Sequence, residues 1–257
     1  MDYLAVAVAD EGLELRRAGV NLPIIIMDPE VAALDLILEN NLQPNIYSFQ
    51  SLENIIAAAE NKGLENYPIH IKIDSGMHRL GFYREEIPAL VARLNGQKAV
   101  RVLSVFSHFA GSDESQFDDF TRQQAEYFND CAETLKVGLR YPIMKHICNS
   151  AGIERFPQYQ YDMCRLGIGL YGISFAETGC HGEVVLPDLN HTAAAQIQFV
   201  HLSAQVVLNL FIVHPIRNKL KLLRLNAFFA HPLDHKIRNR SSCLVFKLQP
   251  LQKCTTA

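Results

Sequence analysis

The stretch Ile69-His-Ile-Lys-Ile-Asp-Ser-Gly-Met-His-Arg-Leu-Gly-Phe82 predicts a strand that ends in a polar turn. Its first residues alternate between isoleucine and a polar residue, so His70 and Lys72 share one face of the predicted strand. The triplet Asp74-Ser75-Gly76 is typical of a turn, because glycine can adopt a positive φ without a steric penalty.

The same stretch predicts where polar side chains collect. A helical pattern begins near Arg84, so the turn joins a strand to a helix. Lys72, Asp74 and Arg79 are then delivered to the carboxyl end of the strand, the edge where β/α proteins carry out their chemistry. Taken alone, the stretch also fits an ordinary solvated loop between a strand and a helix.

The rest of the chain repeats the alternation of strand and helix. The strands are apolar runs rather than clean alternations, which is typical of a parallel sheet covered by helices. We predict an α/β fold, namely a (β/α)8 TIM-type barrel that lacks its first strand, because the first predicted strand starts almost at Met1. Seven strands are predicted: Leu4–Ala9, Pro23–Met27, Gln43–Ser48, the strand of Lys72, Val100–Phe109, Met144–Asn149 and Tyr161–Arg165.

The composition changes near residue 183. All 14 glycines lie between Gly12 and Gly182, no tyrosine follows Tyr171, and basic residues predominate from His201 onward. We therefore expect residues 1–176 to form the incomplete barrel domain and residues 177–257 to be an irregular, divergent or frameshifted tail. A basic docking segment is the weaker alternative for the tail.

Several classes of protein are excluded by composition. The net charge of −3 and the absence of an early basic run argue against nucleic acid as a partner. Polar residues interrupt the apolar stretch 193–216, which argues against a membrane span. The six cysteines show neither CxxC spacing nor a metal pattern with histidine, and no signal peptide is evident, so we expect no metal and a cytoplasmic location.

Polar residues also follow the later predicted strands. They are His108, Asn149, Ser150, Arg165 and Gly167. If one strand precedes the first predicted one, Ser150, Gly167 and Ile168 follow strands seven and eight, where barrels often bind phosphate. A hydroxyl and free backbone N–H groups are the donors that a phosphate requires.

Five segments in order resemble the alanine racemases, a family of fold-type III pyridoxal phosphate enzymes. The resemblance covers roughly residues 2–174 and implies a homodimer that uses pyridoxal 5'-phosphate to interconvert L- and D-alanine for peptidoglycan. The matching segments are LAVAVADEGLELRRAG (4–19), IKIDSGMHRLGF (71–82), FSHFAGSDE (106–114), HICNSAG (146–152) and DMCRLGIGLYGIS (162–174).

The resemblance implies how the cofactor is held. Arg165 would bond the pyridine nitrogen, with His108 beside it to hold the guanidinium. The phosphate would be bound by Ser150, Gly167 and Ile168, with support from Asn149. Without the resemblance, His108 also fits a structural histidine and Arg165 a paired arginine of the core.

The resemblance implies two further roles at the substrate. Arg79 would lie near the substrate carboxylate and orient a catalytic tyrosine on the opposite face. Lys72 matches a position that is often carbamylated and then braces this arginine, although it also fits a lysine at the rim. His70, His78 and His146 are predicted to be structural or solvated, and Cys148 and Cys164 to be core thiols.

The sequence departs from the family at both catalytic bases. The family's Schiff-base lysine lies in a KANAYGHG-like motif, which this sequence lacks, and Lys62 and Lys72 do not match its position. The opposing tyrosine belongs to a C-terminal β-domain, and no tyrosine follows Tyr171. We therefore expect the chain as given to be inactive, and the alternative is a non-catalytic remnant or an incomplete barrel that binds a partner.

Overall fold

The computed structural model describes residues 2–171, which form one parallel sheet with helices on its outer side. The six strands follow the order β1 to β6, so each strand pairs with its neighbours in sequence. This order is that of a barrel wall, since a doubly wound sheet reverses its strand order at a switch point. The strands are β1 Leu4–Val6, β2 Ile24–Ile26, β3 Gln43–Ile46, β4 Tyr67–Lys72, β5 Val100–Phe106 and β6 Met144–His146.

Helices connect the strands, as the alternating pattern predicts. The longest α-helices are amphipathic, and α3 begins with a capping box in which the side chains of Ser48 and Ser51 each accept from the other's backbone N–H. The α-helices are α1 Ala9–Arg17, α2 Leu34–Glu39, α3 Phe49–Asn61, α4 Ile87–Asn95, α5 Asp118–Leu139 and α6 Ser150–Arg155. Short 3-10 turns lie at Val31–Ala33, Arg84–Glu86, Ser115–Phe117, Pro157–Tyr159 and Ile168–Tyr171.

One face of the sheet is apolar and packs against the helices. Ile69 and Ile71 of β4 lie on this face, and Val105 of β5 pairs with Ile71. They share a buried cluster with Leu52 of α3 and Leu90 of α4. Burial of such side chains contributes roughly 1.5–3 kcal/mol each, so this outer layer fixes the sheet on its helices.

The opposite face of the same strands is polar. Alternation along β4 places His70 and Lys72 there, and the register pairs them with Ser104 and Phe106 of β5. Phe106 in turn pairs with His146 of β6. A polar interior is unusual for a packed barrel, which is generally filled by branched apolar residues, and it indicates a site.

The barrel fold is confirmed, but two details of the predicted strands are wrong. Segment 161–165 is not a regular strand, because Tyr161 has a φ of 46° and the preceding turn bends the chain. It lies beside β6 through hydrogen bonds from the Asp162 N–H to the Lys145 oxygen (3.1 Å) and from the Arg165 N–H to the Cys148 oxygen (3.0 Å).

The second detail concerns strand ends. β5 ends at Phe106 rather than at residue 109, and β6 ends at His146 rather than at residue 149. Beyond these ends only single backbone hydrogen bonds follow among the described residues, such as that from the Ser107 N–H to the His146 oxygen (3.2 Å). The tail, residues 177–257, lies outside the described residues. Within residues 2–171, no helix is both long and apolar enough to cross a membrane.

Candidate functional site

Arg165 is the centre of a buried polar cluster at the carboxyl ends of β5 and β6. Its side chain is 5% exposed. Nη1 lies 2.9 Å from His146 Nδ1, and Nη2 donates to the backbone oxygens of Ile147 (2.8 Å) and Ser107. Burial lowers the pKa of Arg165 to about 10, so the group stays a cation at neutral pH. The chain thus holds a fixed positive charge inside the barrel.

His108 lies beside this guanidinium, where its Nδ1 is 3.3 Å from Arg165 Nη2. Burial lowers its pKa well below the ordinary value, and the positive charges of Arg165, Lys72 and Arg79 lower it further. The ring is therefore neutral at pH 7. Because an arginine only donates, Nδ1 is the acceptor and the proton lies on Nε2.

Lys72 is buried at the end of β4, with 6% of its surface exposed. Its Nζ lies 4.7 Å from the centroid of the Phe106 ring, and no hydrogen bond to Nζ is present among residues 2–171. Burial, together with the charges of Arg165 and Arg79, lowers the pKa of this amine well below its ordinary value, while Asp74 opposes the shift. Lys72 is thus biased toward the neutral, nucleophilic form.

Arg79 is exposed and lies on a loop that Asp74 organises. The Asp74 carboxylate accepts from the backbone N–H groups of Gly76 (3.0 Å), His78 (3.0 Å) and Arg79 (2.9 Å). Gly76 has a φ of 134°, as the turn signature predicts. Sequence reasoning placed Asp74 at the rim but missed this role, for which an aspartate opening a glycine-containing turn is the signal.

Ser150, Gly167 and Gly169 form a compact donor and acceptor group next to Arg165. The Ser150 Oγ accepts from the backbone N–H of Gly167 (3.0 Å) and of Gly169 (3.1 Å). A Cβ at Gly169 would lie 2.7 Å from Leu166 Cδ1 and 3.3 Å from Ser150 Oγ, so a larger residue here would displace the Leu166 side chain and crowd the hydroxyl group. Ile168 lies between the two glycines with 51% of its surface exposed, at the start of a 3-10 turn.

Asn149 supports this group from the start of α6. Its Oδ1 accepts from the Gly152 N–H at 2.9 Å and from the Ser112 hydroxyl at 2.8 Å. Asn149 therefore caps the helix that carries Ser150 and fixes the position of that hydroxyl. Sequence reasoning missed Gly169 and Ser112; the second glycine of RLGIGLYG was the available signal for the first.

The donor set fits pyridoxal 5'-phosphate. A phosphate needs hydroxyl and backbone N–H donors. Ser150 Oγ accepts from the N–H groups of Gly167 and Gly169, which leaves its own hydroxyl hydrogen to donate to a phosphate. A pyridine nitrogen needs a buried donor, and Arg165 is a buried cation two residues before Gly167. The structure therefore brings together Lys72, His108, Asn149, Ser150, Arg165, Gly167 and Ile168 at the carboxyl ends of β4 to β6, with Arg79 on the adjoining loop.

His70 and His146 are buried in the polar interior, with 0% of their surfaces exposed. Of the two predicted alternatives, structural or solvated, the structural one holds for these two rings. Both rings bond to Ser104 Oγ, His70 Nδ1 at 2.6 Å and His146 Nε2 at 2.9 Å. Alternation within β4 put His70 on the polar face, but no local pattern signals its partner on β5. His78, by contrast, is exposed on the loop.

Comparison with known sequences gives a consistent family. A family model described as the N-terminal domain of alanine racemase matches residues 1–175. Alanine racemase 1 of Oceanobacillus iheyensis is 39% identical over 176 residues, which cover 67% of this chain and 46% of that protein. The alanine racemase of Desulfovibrio desulfuricans is 36% identical over 174 residues, which cover 66% of this chain and 46% of that protein.

Solved structures show the same similarity. The alanine racemase of Clostridium difficile 630 superposes with a TM-score of 0.63 at 34% identity, covering 67% of this chain and 45% of that one. The alanine racemase of Bacillus anthracis with bound L-Ala-P superposes with a TM-score of 0.60 at 31% identity, covering 66% of this chain and 44% of that one. The chain thus spans somewhat less than half the length of these relatives.

Proposed function

The chain belongs to the alanine racemase family through its N-terminal domain, and we propose that its polar cluster binds pyridoxal 5'-phosphate for the interconversion of L- and D-alanine. The observation that carries the proposal is the buried, cationic Arg165, held by the ends of two strands beside the Ser150 hydroxyl group. The match of the family model to residues 1–175 also supports a domain boundary near residue 176.

Arg165 sets the chemistry of the cofactor's ring. The bound cofactor would supply an electron sink that stabilises negative charge at the substrate α-carbon. A permanent cation opposite the pyridine nitrogen disfavours protonation of that nitrogen, because two positive charges would then be in contact. Arg165 thus weakens the sink and favours return of a proton to the α-carbon over side reactions.

The phosphate end is assigned to Ser150, Gly167 and Ile168, with Asn149 in support. The convergence of a hydroxyl group with loop N–H groups supports this assignment. The Asn149 cap keeps the hydroxyl in place, because it fixes the first turn of α6. These groups bind the dianion through charge-assisted hydrogen bonds.

Lys72 and Arg79 are assigned to the substrate side. A neutral, buried lysine amine can add to carbon dioxide, forming an N–C bond and releasing one proton to solvent. The resulting carbamate carries a negative charge, which would brace the Arg79 guanidinium. Arg79 in turn would orient the substrate carboxylate, and the exposed loop that carries it supports contact with an incoming amino acid.

Racemisation also needs a proton acceptor on each face of the α-carbon. Each such base contributes about 10²–10⁴-fold to the rate. The 257-residue sequence contains neither a KANAYGHG-like lysine motif nor a tyrosine after Tyr171. We propose that this chain alone binds the cofactor without a covalent bond and does not racemise alanine.

The family assignment supports three further parts of the proposal. We propose a homodimer, a cytoplasmic location and alanine destined for peptidoglycan. The chain covers 46% of each of the two curated relatives named above, so these three features belong to the proposal for the whole racemase.

The catalytic part is tested by incubating the chain with the cofactor and L-alanine and measuring D-alanine with a D-specific oxidase. Borohydride reduction followed by peptide mass spectrometry then identifies any lysine that carries the cofactor. We expect no D-alanine and no specific adduct. A stoichiometric adduct at one lysine, with D-alanine formed, would contradict the inactive state.

A further inference from the structure

A continuous line of hydrogen bonds crosses the polar interior from β3 to Arg165. Gln43 Oε1 lies 2.8 Å from His70 Nε2, and His70 Nδ1 lies 2.6 Å from Ser104 Oγ. The same Ser104 Oγ lies 2.9 Å from His146 Nε2, and His146 Nδ1 lies 2.9 Å from Arg165 Nη1. Side chains from four neighbouring strands are thus joined end to end.

Arg165 fixes the direction of the first half of this line. A guanidinium only donates, so His146 Nδ1 must accept its hydrogen. A neutral imidazole then carries its proton on Nε2, which donates to Ser104 Oγ. If Ser104 donated to Nε2 instead, both ring nitrogens of His146 would be acceptors, and the ring would be an anion.

The direction continues through the second half. Ser104 has one hydroxyl proton, and the remaining neighbour of its oxygen is His70 Nδ1, so this proton is donated to His70. His70 then carries its own proton on Nε2, which donates to the carbonyl oxygen of the Gln43 amide. Each donor in the line meets one acceptor, and reversing a single group would leave two donors or two acceptors facing each other.

Burial raises the free-energy cost of breaking any of these hydrogen bonds. His70, Ser104 and His146 are all 0% exposed, so water cannot replace a missing partner. A buried polar group that loses its partner keeps the full penalty of its desolvation. Burial lowers the pKa of His70 to about 3, which agrees with a neutral ring at this position.

We propose that Gln43, His70 and Ser104 are positioning residues, which hold His146 in the Nε2–H tautomer and thereby fix the orientation of the Arg165 guanidinium. Arg165 needs an acceptor at His146 Nδ1, and only this tautomer supplies one. The value of a fixed guanidinium for cofactor binding rests on the proposed function. The line of hydrogen bonds from Gln43 through His70, Ser104 and His146 to Arg165, called the relay below, is a property of the chain without cofactor.

The first test is made on the full chain without cofactor. Histidine labelled with ¹⁵N reports through two-bond ¹H–¹⁵N correlations which ring nitrogen carries the proton, and the two rings are assigned from the spectra of His70→Gln and His146→Gln. We expect both rings to be neutral with the proton on Nε2. A proton on Nδ1 of either ring, or on both nitrogens, at neutral pH would overturn the relay.

The second test breaks the relay at its middle. In Ser104→Ala the Nε2–H of His146 loses its buried acceptor. We expect part of the population to carry the proton on Nδ1 and to lose the bond to Arg165 Nη1, which gives a mixture of tautomers and faster exchange of the guanidinium protons with water. Ser104→Thr keeps the hydroxyl and should restore the single tautomer. Thr121→Val is a matched control, because Thr121 Oγ1 is a buried hydroxyl oxygen without a hydrogen-bond partner within residues 2–171. A single, unchanged His146 tautomer in Ser104→Ala would contradict the proposal.

Gln43→Leu provides a variant at the half-buried end of the line, where folding is least at risk. In this variant we expect His70 to show a mixture of tautomers, and an unchanged His70 spectrum would count against the relay.

A cofactor titration then separates the two proposals. We expect the Kd of Ser104→Ala for pyridoxal phosphate to rise about threefold to tenfold, the equivalent of one net hydrogen bond. If wild type shows the expected tautomers but binds no cofactor, the relay stands and the proposed function fails.

Discussion

Lys72 and Arg165 lie against the same buried aromatic ring. The Nζ of Lys72 is 4.7 Å and the Cζ of Arg165 is 5.4 Å from the centroid of Phe106. The ring also stacks on His146 at 4.8 Å with an interplanar angle of 3°. The negative face of an aromatic ring attracts a cation, so Phe106 stabilises the buried Arg165 guanidinium. The same ring packs against the Lys72 amine, whose pKa burial lowers.

Replacement of Phe106 should therefore lower the free energy of unfolding by more than the lost packing alone. We expect Phe106→Leu to lower the free energy of unfolding by about 1–3 kcal/mol, from lost packing and lost cation–π contact. Phe128→Leu is the control, since Phe128 is fully buried against Tyr161 and no cation lies over its ring within residues 2–171. Urea unfolding measures both. Equal losses of free energy of unfolding would show that the Arg165 cation gains nothing from the Phe106 ring.

Lys72 should make the stability of the fold depend on pH. At pH 7 the unfolded chain binds the lysine proton, whereas burial and the nearby arginines disfavour it in the folded state. Stability therefore rises with pH, by at most about 1.4 kcal/mol per pH unit, until the ordinary lysine pKa near 10.5 is reached.

We accordingly expect Lys72→Met to be more stable than wild type at pH 7, with the difference shrinking toward pH 10. Urea unfolding in buffer free of bicarbonate checks this, because a carbamate would change the charge. Lys98→Met, at an exposed position, serves as the control and should show no such trend. A difference between wild type and Lys72→Met that is constant with pH would show that Lys72 keeps its proton in the fold.

Gly81 should be the least replaceable glycine of the Arg79 loop. It has a φ of 134°, and a Cβ there would lie 2.6 Å from the Ile73 carbonyl carbon and collide with the Asp74 backbone nitrogen. We expect Gly81→Ala to cost at least about 2 kcal/mol of stability, since backbone strain and a steric clash combine.

The matched control is Gly63→Ala, which also has a positive φ, at 66°, but whose added Cβ would meet no atom within 4 Å among the described residues, its chain neighbours aside. We expect Gly63→Ala to lower the free energy of unfolding by about 1 kcal/mol. Thermal or urea unfolding compares the two variants. An equal loss of free energy of unfolding would mean that a small backbone shift relieves the collision with the Asp74 backbone nitrogen.

Much of this site is predictable because its signals are local. The alternation around His70 and Lys72, and the turn at Gly76, follow from sequence periodicity and glycine chemistry, and the structure shows both. The relay through Gln43, Ser104 and His146 was not predictable, because strand register brings these residues together and register is a property of the folded sheet. The same reason explains segment 161–165, whose apolar pattern fits a strand but whose backbone at Tyr161 does not.

The central claim is that the Ser150 and Arg165 cluster binds pyridoxal 5'-phosphate, and a binding titration tests it most directly. The full chain is titrated with the cofactor and followed by near-ultraviolet absorbance, beside Ser150→Asp, in which a carboxylate would repel the phosphate, and Gln116→Asp, which adds the same charge on an exposed turn. We expect saturable binding to wild type and to Gln116→Asp, with at least about tenfold weaker binding to Ser150→Asp, or 1.4 kcal/mol. Wild type that fails to bind, or Ser150→Asp that binds as tightly as wild type, would contradict the assignment of this cluster.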